Sequence, residues 1–467
     1  MIWHRQVTIS RRRTGFATVF CVLNLFSPRT ESLQSFLPYQ RRPSSSLFAT
    51  VDVWEGPWSA TPKFLEEYWG QKPLLVRRAF DASTSPFPSW YDIVNLAVDD
   101  DTGYAARLVQ HTAGDLTSFS LDLGPFDPDE LDDALDDRSV RTTLLVNDVD
   151  RRRADLADWM EAQFAFLPRW RMDDAQISIA QKGGGIGPHV DNYDVFLIQT
   201  AGQREWKVGL DKLSTAEEYA ALVPDIPVRI LQKEFDAVAY VLEPGDMLYL
   251  PPRVIHCGTA ASDQCVTLSV GCRAPSAADL IARMAEQLQD TATERYQDVN
   301  LSELTPSDVS LTTQVKERMK QMTLRAIQTL LKDDAAWDAL VGGIITEPIR
   351  DDDLGAFDED EDDYMGENSE ELLQSSNIYL KRSPGVSVAT STVEISGQPA
   401  SRLHRLFAHG TMWESNESLA REIFHHIEQG LPLTSEHLKA ALTSPVLKSV
   451  LEELVQRRLL RIHRRND

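Results

Sequence analysis

One glycine- and proline-rich stretch, residues 183–198, constrains the fold of this 467-residue chain more than any other. Four glycines and Pro188 precede His189 and Asp191, and an apolar run from Val195 to Ile198 follows them. Such a run is typical of a buried β-strand. Residues i and i+2 of an extended chain project to the same face, so His189 and Asp191 can converge on one metal ion. The stretch therefore predicts a buried strand that begins beside a metal-binding pair.

A second histidine, His256, follows a similar pattern further along the chain. A tight turn at residues 244–246 leads into a short apolar strand, and His256 lies just beyond that strand. Two histidines and one carboxylate on one face of a metal ion are the ligand set of non-haem Fe(II) oxygenases. His426 also precedes an acid by two positions, but it lies in a predicted helix, where i and i+2 do not face each other. The alternative for His189 and His256 is a pair of ordinary core histidines in an inert β-barrel.

Many short predicted strands with glycine and proline turns, and no long helix between them, indicate a β-barrel or a double-sheet jelly roll. In one strand Ser178 lies opposite Ile177 and Ile179, which directs it toward the barrel interior. In another, Arg204 shares a face with Trp206 and is predicted to be buried. Because an unpaired buried charge is very costly, Arg204 requires an anion. That anion is either a dicarboxylate co-substrate or an internal Asp or Glu.

The first 50 residues differ in composition from the rest of the chain. They are rich in arginine and serine and contain one acid, Glu31. This composition is typical of an organelle presequence, for which we expect a mitochondrion, with a plastid as the alternative. A disordered extension is the simplest interpretation. The apolar run at residues 16–26 is too short to span a bilayer, and no membrane span is predicted.

Three further segments follow the predicted barrel. Residues 276–345 show helical periodicity with an apolar stripe, which indicates either intramolecular core or a dimer interface. Residues 346–367 are predicted to be an acidic linker, because twelve acids lie between positions 351 and 371, in and just after this segment. Residues 368–467 combine helices with a small β-wing, as in a winged-helix domain. Their basic end could touch RNA phosphates or could simply form a charged face. Within the barrel, the acidic segment 127–137 predicts a surface connection.

Charge and cysteine content limit the partners and the compartment. The net charge of −24 disfavours nucleic acid over most of the surface and favours a basic protein partner. The four cysteines show no zinc-finger spacing, and their usage suits a reducing compartment.

These motifs resemble the JmjC-type ribosomal oxygenases, in particular the bacterial branch that hydroxylates an arginine of a large-subunit ribosomal protein. The resemblance covers roughly residues 51–300 and is carried by residues 170–174, 183–198, 202–209, 242–252 and 269–275. It implies a mainly β fold with α: a cupin-like double-stranded β-helix barrel over residues 51–275, a helical dimerisation region over 276–345 and a winged-helix domain over 368–467.

The same resemblance implies the roles of the site residues. His189, Asp191 and His256 would bind Fe(II), Arg204 would hold the distal carboxylate of 2-oxoglutarate, and Ser178 would donate a hydrogen bond to it. The implied reaction uses O2 to convert 2-oxoglutarate to succinate and CO2 while a side-chain carbon of the protein substrate is hydroxylated.

The implied partners are a basic ribosomal protein, a second copy of the chain and, through the C-terminal domain, ribosomal RNA. We expect arginine as the target. The alternatives are a histidyl hydroxylase, a histone lysine demethylase or a non-enzymatic cupin-like scaffold that binds ribosomes or RNA. A nuclear location is less expected, because the leader has no lysine-rich cluster.

Overall fold

The computed structural model describes residues 50–100, 105–232, 235–297, 312–348, 377–395 and 398–464. The predicted presequence (except Thr50) and most of the acidic linker lie outside the described residues. The described chain divides into two compact units: one ends at Arg273, and the other comprises Ala274–Pro348 and the C-terminal residues from position 377.

The first unit is built from two β-sheets. Its strands are β1 Asp52–Glu55, β2 Leu74–Arg77, β3 Ala106–His111, β4 Ser120–Leu123, β5 Arg141–Val146, β6 Met172–Ala180, β7 Asp194–Ala201, β8 Arg204–Lys212, β9 Ala237–Leu242, β10 Met247–Leu250, β11 Val254–Ala260 and β12 Cys265–Cys272. The larger sheet has the strand order β1-β2-β10-β7-β12-β6-β5-β3-β4, and the smaller has the order β11-β8-β9. Only β1 and β2 pair in parallel among these strands.

The two sheets face each other across an apolar interior. Leu197 and Leu248 of the larger sheet pack in one cluster with Trp206 and Val208 of the smaller sheet. Alternation along each strand places the intervening residues on the opposite face. The predicted double-sheet barrel is therefore confirmed, and its interior is where Arg204 and Ser178 were expected to point.

Helices cover the outer face of the larger sheet. They are α1 Pro62–Glu67, α2 Trp90–Val98, α3 Pro128–Asp136, α4 Val149–Arg152 and α5 Ala154–Gln163. Phe64, Ile93 and Leu156 from these helices share a buried cluster with Ile177 and Phe196 of the sheet. A further helix, α6 Thr215–Ala221, lies in the connection between β8 and β9.

The acidic segment 127–137 connects β4 to β5 and is mostly exposed, as expected from its charge, but most of it forms helix α3, which was not predicted. Asp127 caps the helix by accepting hydrogen bonds from the backbone of Asp129 and Glu130. Leu131 and Leu135 are four residues apart, so they share one helical face, and both are buried. The spacing of two leucines outweighed the charge of the residues between them.

The second unit contains six helices and two small sheets among its described residues. The helices are α7 Ala277–Thr291, α8 Thr313–Lys332, α9 Asp334–Thr346, α10 Ser418–Glu428, α11 Ser435–Leu442 and α12 Pro445–Gln456. The strands are β13 Ile378–Arg382, β14 Val388–Ile395, β15 Gln398–Ala408, β16 Thr411–Ser415 and β17 Leu460–Arg464, paired as β13-β17 and β14-β15-β16.

Helix α9 packs on the three-stranded sheet of this unit. The buried guanidinium of Arg405 donates to the carboxylate of Asp338 at 2.9 Å and to the carbonyl of Ala335. The winged-helix assignment stays a prediction. None of the described helices is long and apolar enough to cross a bilayer.

Candidate metal and co-substrate site

Strand-like pairing brings His189 and His256 together. The backbone N–H of His189 donates to the carbonyl of His256 at 3.0 Å, and the reverse hydrogen bond is 2.9 Å long. The two ring centroids are 4.2 Å apart. Asp191 Oδ2 lies 3.5 Å from His256 Nε2, and one donor atom from each of the three side chains lies within 4.8 Å of the others. The structure therefore brings together the three side chains that the sequence singled out.

The two histidine rings are oriented for metal binding by local backbone contacts. Nδ1 of His189 lies 3.0 Å from the carbonyl of Gly187, and Nδ1 of His256 lies 3.0 Å from the carbonyl of Val254. A carbonyl can only accept, so in the neutral rings Nδ1 carries the proton and Nε2 keeps its lone pair. Burial, and then the nearby His189, lower the pKa of His256 to about 4, so this ring is neutral at pH 7. Two imidazoles and one carboxylate suit a divalent first-row metal.

The glycines before His189 allow the chain to approach β11 closely. A Cβ on Gly185 would overlap the carbonyl oxygen of Gly258, and a Cβ on Gly187 would press on Ile230. Gly187 also has φ +81°, a conformation that side chains other than glycine rarely adopt. The glycine-rich motif is therefore a packing requirement that seats His189 against β11.

Arg204 is buried without a complete set of partners. Arg204 is 3% exposed, and neither Nε nor Nη2 of its guanidinium has a hydrogen-bond partner among the described residues. Its guanidinium carbon lies 5.9 Å from the ring centre of Trp206, whose own Nε1 also lacks a partner. Trp206 in turn lies 5.8 Å from the ring of His256. The observed contacts favour an external anion for Arg204 over the internal Asp or Glu left open by the sequence.

Ser178 lies on the inner face of β6. Its neighbours Ile177 and Ile179 belong to the cluster on the outer face, so Ser178 points the other way, toward the interior. It pairs with Leu145 of β5 and with Thr267 of β12. Thr143, two residues before Leu145 on the same face, is fully buried, and its hydroxyl has no hydrogen-bond partner in the part of the chain that the structure describes. Sequence reasoning missed Thr143, because a threonine in an apolar strand gives no signal without its neighbours.

A second polar group that the sequence did not reveal lies at the metal-bearing end of the barrel. Tyr193, two residues after Asp191, donates its hydroxyl to Asp173 at 2.9 Å. Burial, and then the adjacent Asp174, raise the pKa of Asp173 to about 7. Gly271 packs against both Tyr193 and Asp173, and it pairs with Val195, which lies in the barrel interior. A carboxyl group that is hard to ionise therefore contacts Tyr193, which lies two residues along the chain from Asp191.

Known proteins are similar to this chain over the region that holds the candidate site. The family model described as the JmjC domain matches residues 160–280. A protein of Haemophilus influenzae described as a probable ribosomal oxygenase is 32% identical over 285 residues, which is 60% of this chain and 65% of that protein. The Escherichia coli ribosomal protein uL16 3-hydroxylase is 34% identical over 272 residues, 57% of this chain and 67% of that protein.

A solved structure extends the similarity to most of the fold. YcfD, a ribosomal oxygenase from Escherichia coli in complex with cobalt and 2-oxoglutarate, superimposes with a TM-score of 0.64 at 26% identity. The match covers 86% of this chain and 98% of that chain.

Proposed function

Because the chain belongs to the JmjC family of ribosomal oxygenases, and is thereby a 2-oxoglutarate-dependent hydroxylase, we propose that it hydroxylates an arginine side chain of ribosomal protein uL16. One observation carries the proposal: the His189, Asp191 and His256 cluster lies in the same barrel as the buried guanidinium of Arg204, two of whose nitrogens have no partner among the residues that the structure describes. Fe(II), 2-oxoglutarate and O2 are the cofactor and co-substrates of this family.

The residues present fit both the metal and the co-substrate. His189 and His256 would each offer Nε2, and Asp191 one carboxylate oxygen, which leaves coordination positions open. Arg204 would pair bidentately with the distal carboxylate of 2-oxoglutarate, and Ser178 would donate a hydrogen bond to it. When bound, Fe(II) supplies the redox chemistry by which O2 and 2-oxoglutarate give succinate, CO2 and a hydroxylated carbon. The apolar walls of the barrel exclude water from that chemistry.

Arginine is favoured as the target by the acidic group near the metal end of the barrel. The Escherichia coli relative is named for 3-hydroxylation of uL16. Asp173 would be ionised by an incoming guanidinium, because a neighbouring positive charge stabilises the carboxylate form. A planar guanidinium can also satisfy both oxygens of one carboxylate. The tyrosine hydroxyl of Tyr193 would orient that carboxylate toward the substrate.

The remaining partner proposals have weaker but distinct support. A net charge of −24 suits a basic ribosomal protein. Helix α7 has no buried residue, and Ile281 on it is 60% exposed; Met319 and Leu331 of α8 are 42% and 46% exposed. We propose that a second copy of the chain covers these apolar side chains in a homodimer. Contact between the C-terminal domain and ribosomal RNA, through its basic end, is proposed on the charge of that end alone.

We propose a mitochondrial location, with a plastid as the alternative. Both organelles carry ribosomes of the bacterial type, which would supply a uL16 substrate, and the arginine-rich first 50 residues suit import. Imaging the full chain with a C-terminal fluorescent tag would test this. A nuclear signal would contradict the organelle proposal.

The test of the function uses the chain without its first 50 residues. It is incubated with Fe(II), 2-oxoglutarate and a mixture of large-subunit ribosomal proteins, and the products are read by tandem mass spectrometry. We expect a gain of one oxygen on an arginine of uL16, abolished by His189→Ala. Oxygen on a histidine, or on another protein, would keep the chemistry and refute the proposed target. Absence of succinate with iron bound would favour the non-enzymatic scaffold.

A further inference from the structure

Arg253 occupies a strained position in the turn that delivers His256. It follows Pro251 and Pro252 between β10 and β11, and its φ of +72° lies in the left-handed region. For a residue with a Cβ this conformation is strained, whereas glycine adopts it freely. Its Nη2 is buried and has no hydrogen-bond partner among the described residues. The backbone conformation alone would therefore favour glycine at position 253.

The contacts of Arg253 explain what offsets that cost. Its backbone N–H donates to the carbonyl of Asp191 at 2.8 Å, and its Nη1 donates to Oδ1 of Asn192, also at 2.8 Å. Asp191 is the carboxylate of the metal cluster, and His256 lies three residues after Arg253. One residue therefore ties the segment that carries Asp191 to the turn that carries His256.

The guanidinium is itself fixed from the other side by the connection between β8 and β9. Nε of Arg253 donates to the carbonyl of Leu213 at 2.9 Å, and Nη1 lies 2.8 Å from Oε2 of Glu218. Glu218 is buried in helix α6 and also accepts from Arg229 at 2.7 Å. Burial raises the pKa of Glu218, but the hydrogen bonds from Arg229 and Arg253 outweigh it and lower that pKa overall. The anion that anchors Arg253 is therefore ionised at pH 7.

The same connection packs directly on the metal-bearing segments. Leu213 and Leu231 form an apolar cluster with Ile255, the neighbour of His256, and with Val190, which lies between His189 and Asp191. The backbone N–H of Leu231 also donates to the carbonyl of Pro188 at 2.8 Å. The β8–β9 connection thus supports both ligand segments from one side, and Arg253 is the charged link within that support.

We propose that Arg253 is a positioning residue of the metal centre, which holds the carboxylate of Asp191 in register with His256 through the Glu218–Arg253–Asn192 chain. The proposal rests on the His189, Asp191 and His256 metal site but not on which side chain of which substrate is hydroxylated. Arg253 touches neither metal nor substrate in this role. Its effect is on ligand geometry, as expected of groups that orient metal ligands from outside the coordination sphere.

The test compares Arg253→Gly with Arg229→Met. Arg253→Gly removes the guanidinium and relieves the backbone strain, whereas Arg229→Met removes the other cation on Glu218 without touching the metal-bearing segments. Each variant of the protein lacking residues 1–50 is titrated with Co(II), followed by its visible absorption spectrum, and its thermal unfolding is recorded without metal. With Fe(II) present, the coupling of the two reactions is measured as the ratio of succinate formed to substrate hydroxylated.

We expect folded Arg253→Gly to bind Co(II) about 10–100-fold more weakly than the wild type, with an altered spectrum. It should also form more succinate per hydroxylated product. Arg229→Met should keep the wild-type Co(II) spectrum and affinity, and Arg253→Lys should recover part of the loss.

Wild-type Co(II) affinity and spectrum in a folded Arg253→Gly would overturn the proposal. Should that variant fail to fold, Asn192→Ala removes the acceptor without altering the turn, and unchanged Co(II) binding there would overturn it equally. A wild-type chain that binds no Co(II) would overturn the metal centre and this role together. Cobalt binding without arginine hydroxylation would refute only the proposed substrate.

Discussion

Replacing Arg204 by methionine should stabilise the protein without ligand and abolish its response to 2-oxoglutarate. Methionine retains most of the apolar stem of arginine but has no charge and no donor. In the wild type, Nε and Nη2 of Arg204 are buried and have no hydrogen-bond partner within the described ranges. Each unsatisfied buried donor costs about 1–3 kcal/mol, so removing two of them outweighs the lost packing and leaves a net gain of about 1–3 kcal/mol. For a unit of this size that gain corresponds to an increase of roughly 2–10 °C in melting temperature.

The response to co-substrate should change in the opposite direction. A ligand at 100 times its dissociation constant stabilises the folded wild type by about 2.7 kcal/mol. Losing a charge-assisted pair with a carboxylate costs about 3 kcal/mol, which corresponds to a more than hundredfold weaker affinity. Thermal unfolding with Co(II) present and 2-oxoglutarate varied would therefore show a shift for the wild type and almost none for Arg204→Met.

Arg169→Met is the matched control, because Arg169 is also a buried arginine but has partners. Its Nε donates to Glu161 at 3.1 Å, its Nη1 donates to the carbonyl of Met172 at 3.0 Å, and Asp150 lies 3.7 Å away. Breaking such a buried pair should cost about 3–5 kcal/mol. If Arg204→Met were destabilised as much as Arg169→Met, Arg204 would be a structural ion-pair partner. A retained shift with 2-oxoglutarate would also refute its assignment to the co-substrate.

Three further predictions follow from the same structure. The pKa of Asp173 is raised from 3.8 to about 7, so the stability that its protonated form contributes is complete below about pH 4 and is lost as pH rises through 7. Asp173→Asn should therefore unfold at a higher temperature than the wild type at pH 8 but not at pH 4. The KM for a uL16 peptide should rise in the same variant. Equal melting temperatures of variant and wild type at pH 8 would contradict the prediction. In α9, Gly343→Ala should stabilise by about 0.5–1 kcal/mol, because a Cβ there meets only the Gly410 carbonyl oxygen at 3.7 Å. Gly342→Ala should destabilise in the same denaturation experiment, because its Cβ would overlap the ring of Phe407. His256→Ala should abolish Co(II) binding in a titration yet leave the far-ultraviolet circular dichroism unchanged.

The metal cluster could be predicted from sequence because its determinants are local. The two-residue period of an extended chain placed His189 and Asp191 on one face. A turn followed by a short apolar strand placed His256 just beyond the end of that strand. Arg204 was identified by the same alternation with Trp206. Alternation could not predict that Nε and Nη2 of Arg204 have no partner among the described residues, because that depends on every strand that surrounds the guanidinium.

Groups that depend on long-range pairing escaped prediction. Asp173 reaches the interior beside Gly271 only because the register of β12 against β6 shifts between Val270 and Cys272. Such a bulge redirects a side chain to the other face, and the sequence does not mark its position. Helix α3 was missed for a different reason, since its charge was given more weight than the spacing of Leu131 and Leu135.

Two departures from local stability lie beside the proposed site, and each has a consequence for function. As far as the described residues show, Arg204 is a buried cation with two unpartnered nitrogens, and Arg253 combines a left-handed backbone with one unpartnered buried nitrogen. Stability alone would replace the first with an apolar side chain and the second with glycine. Strain of this kind persists where the surrounding structure fixes it, and it concentrates at sites that bind ligands. The departure at Arg204 would be relieved if a dicarboxylate bound there, whereas the departure at Arg253 is offset by the contacts that tie the Asp191 segment to the turn before His256. Under the proposed role of Arg204, the stability that its buried donors cost the ligand-free protein would be recovered when 2-oxoglutarate binds.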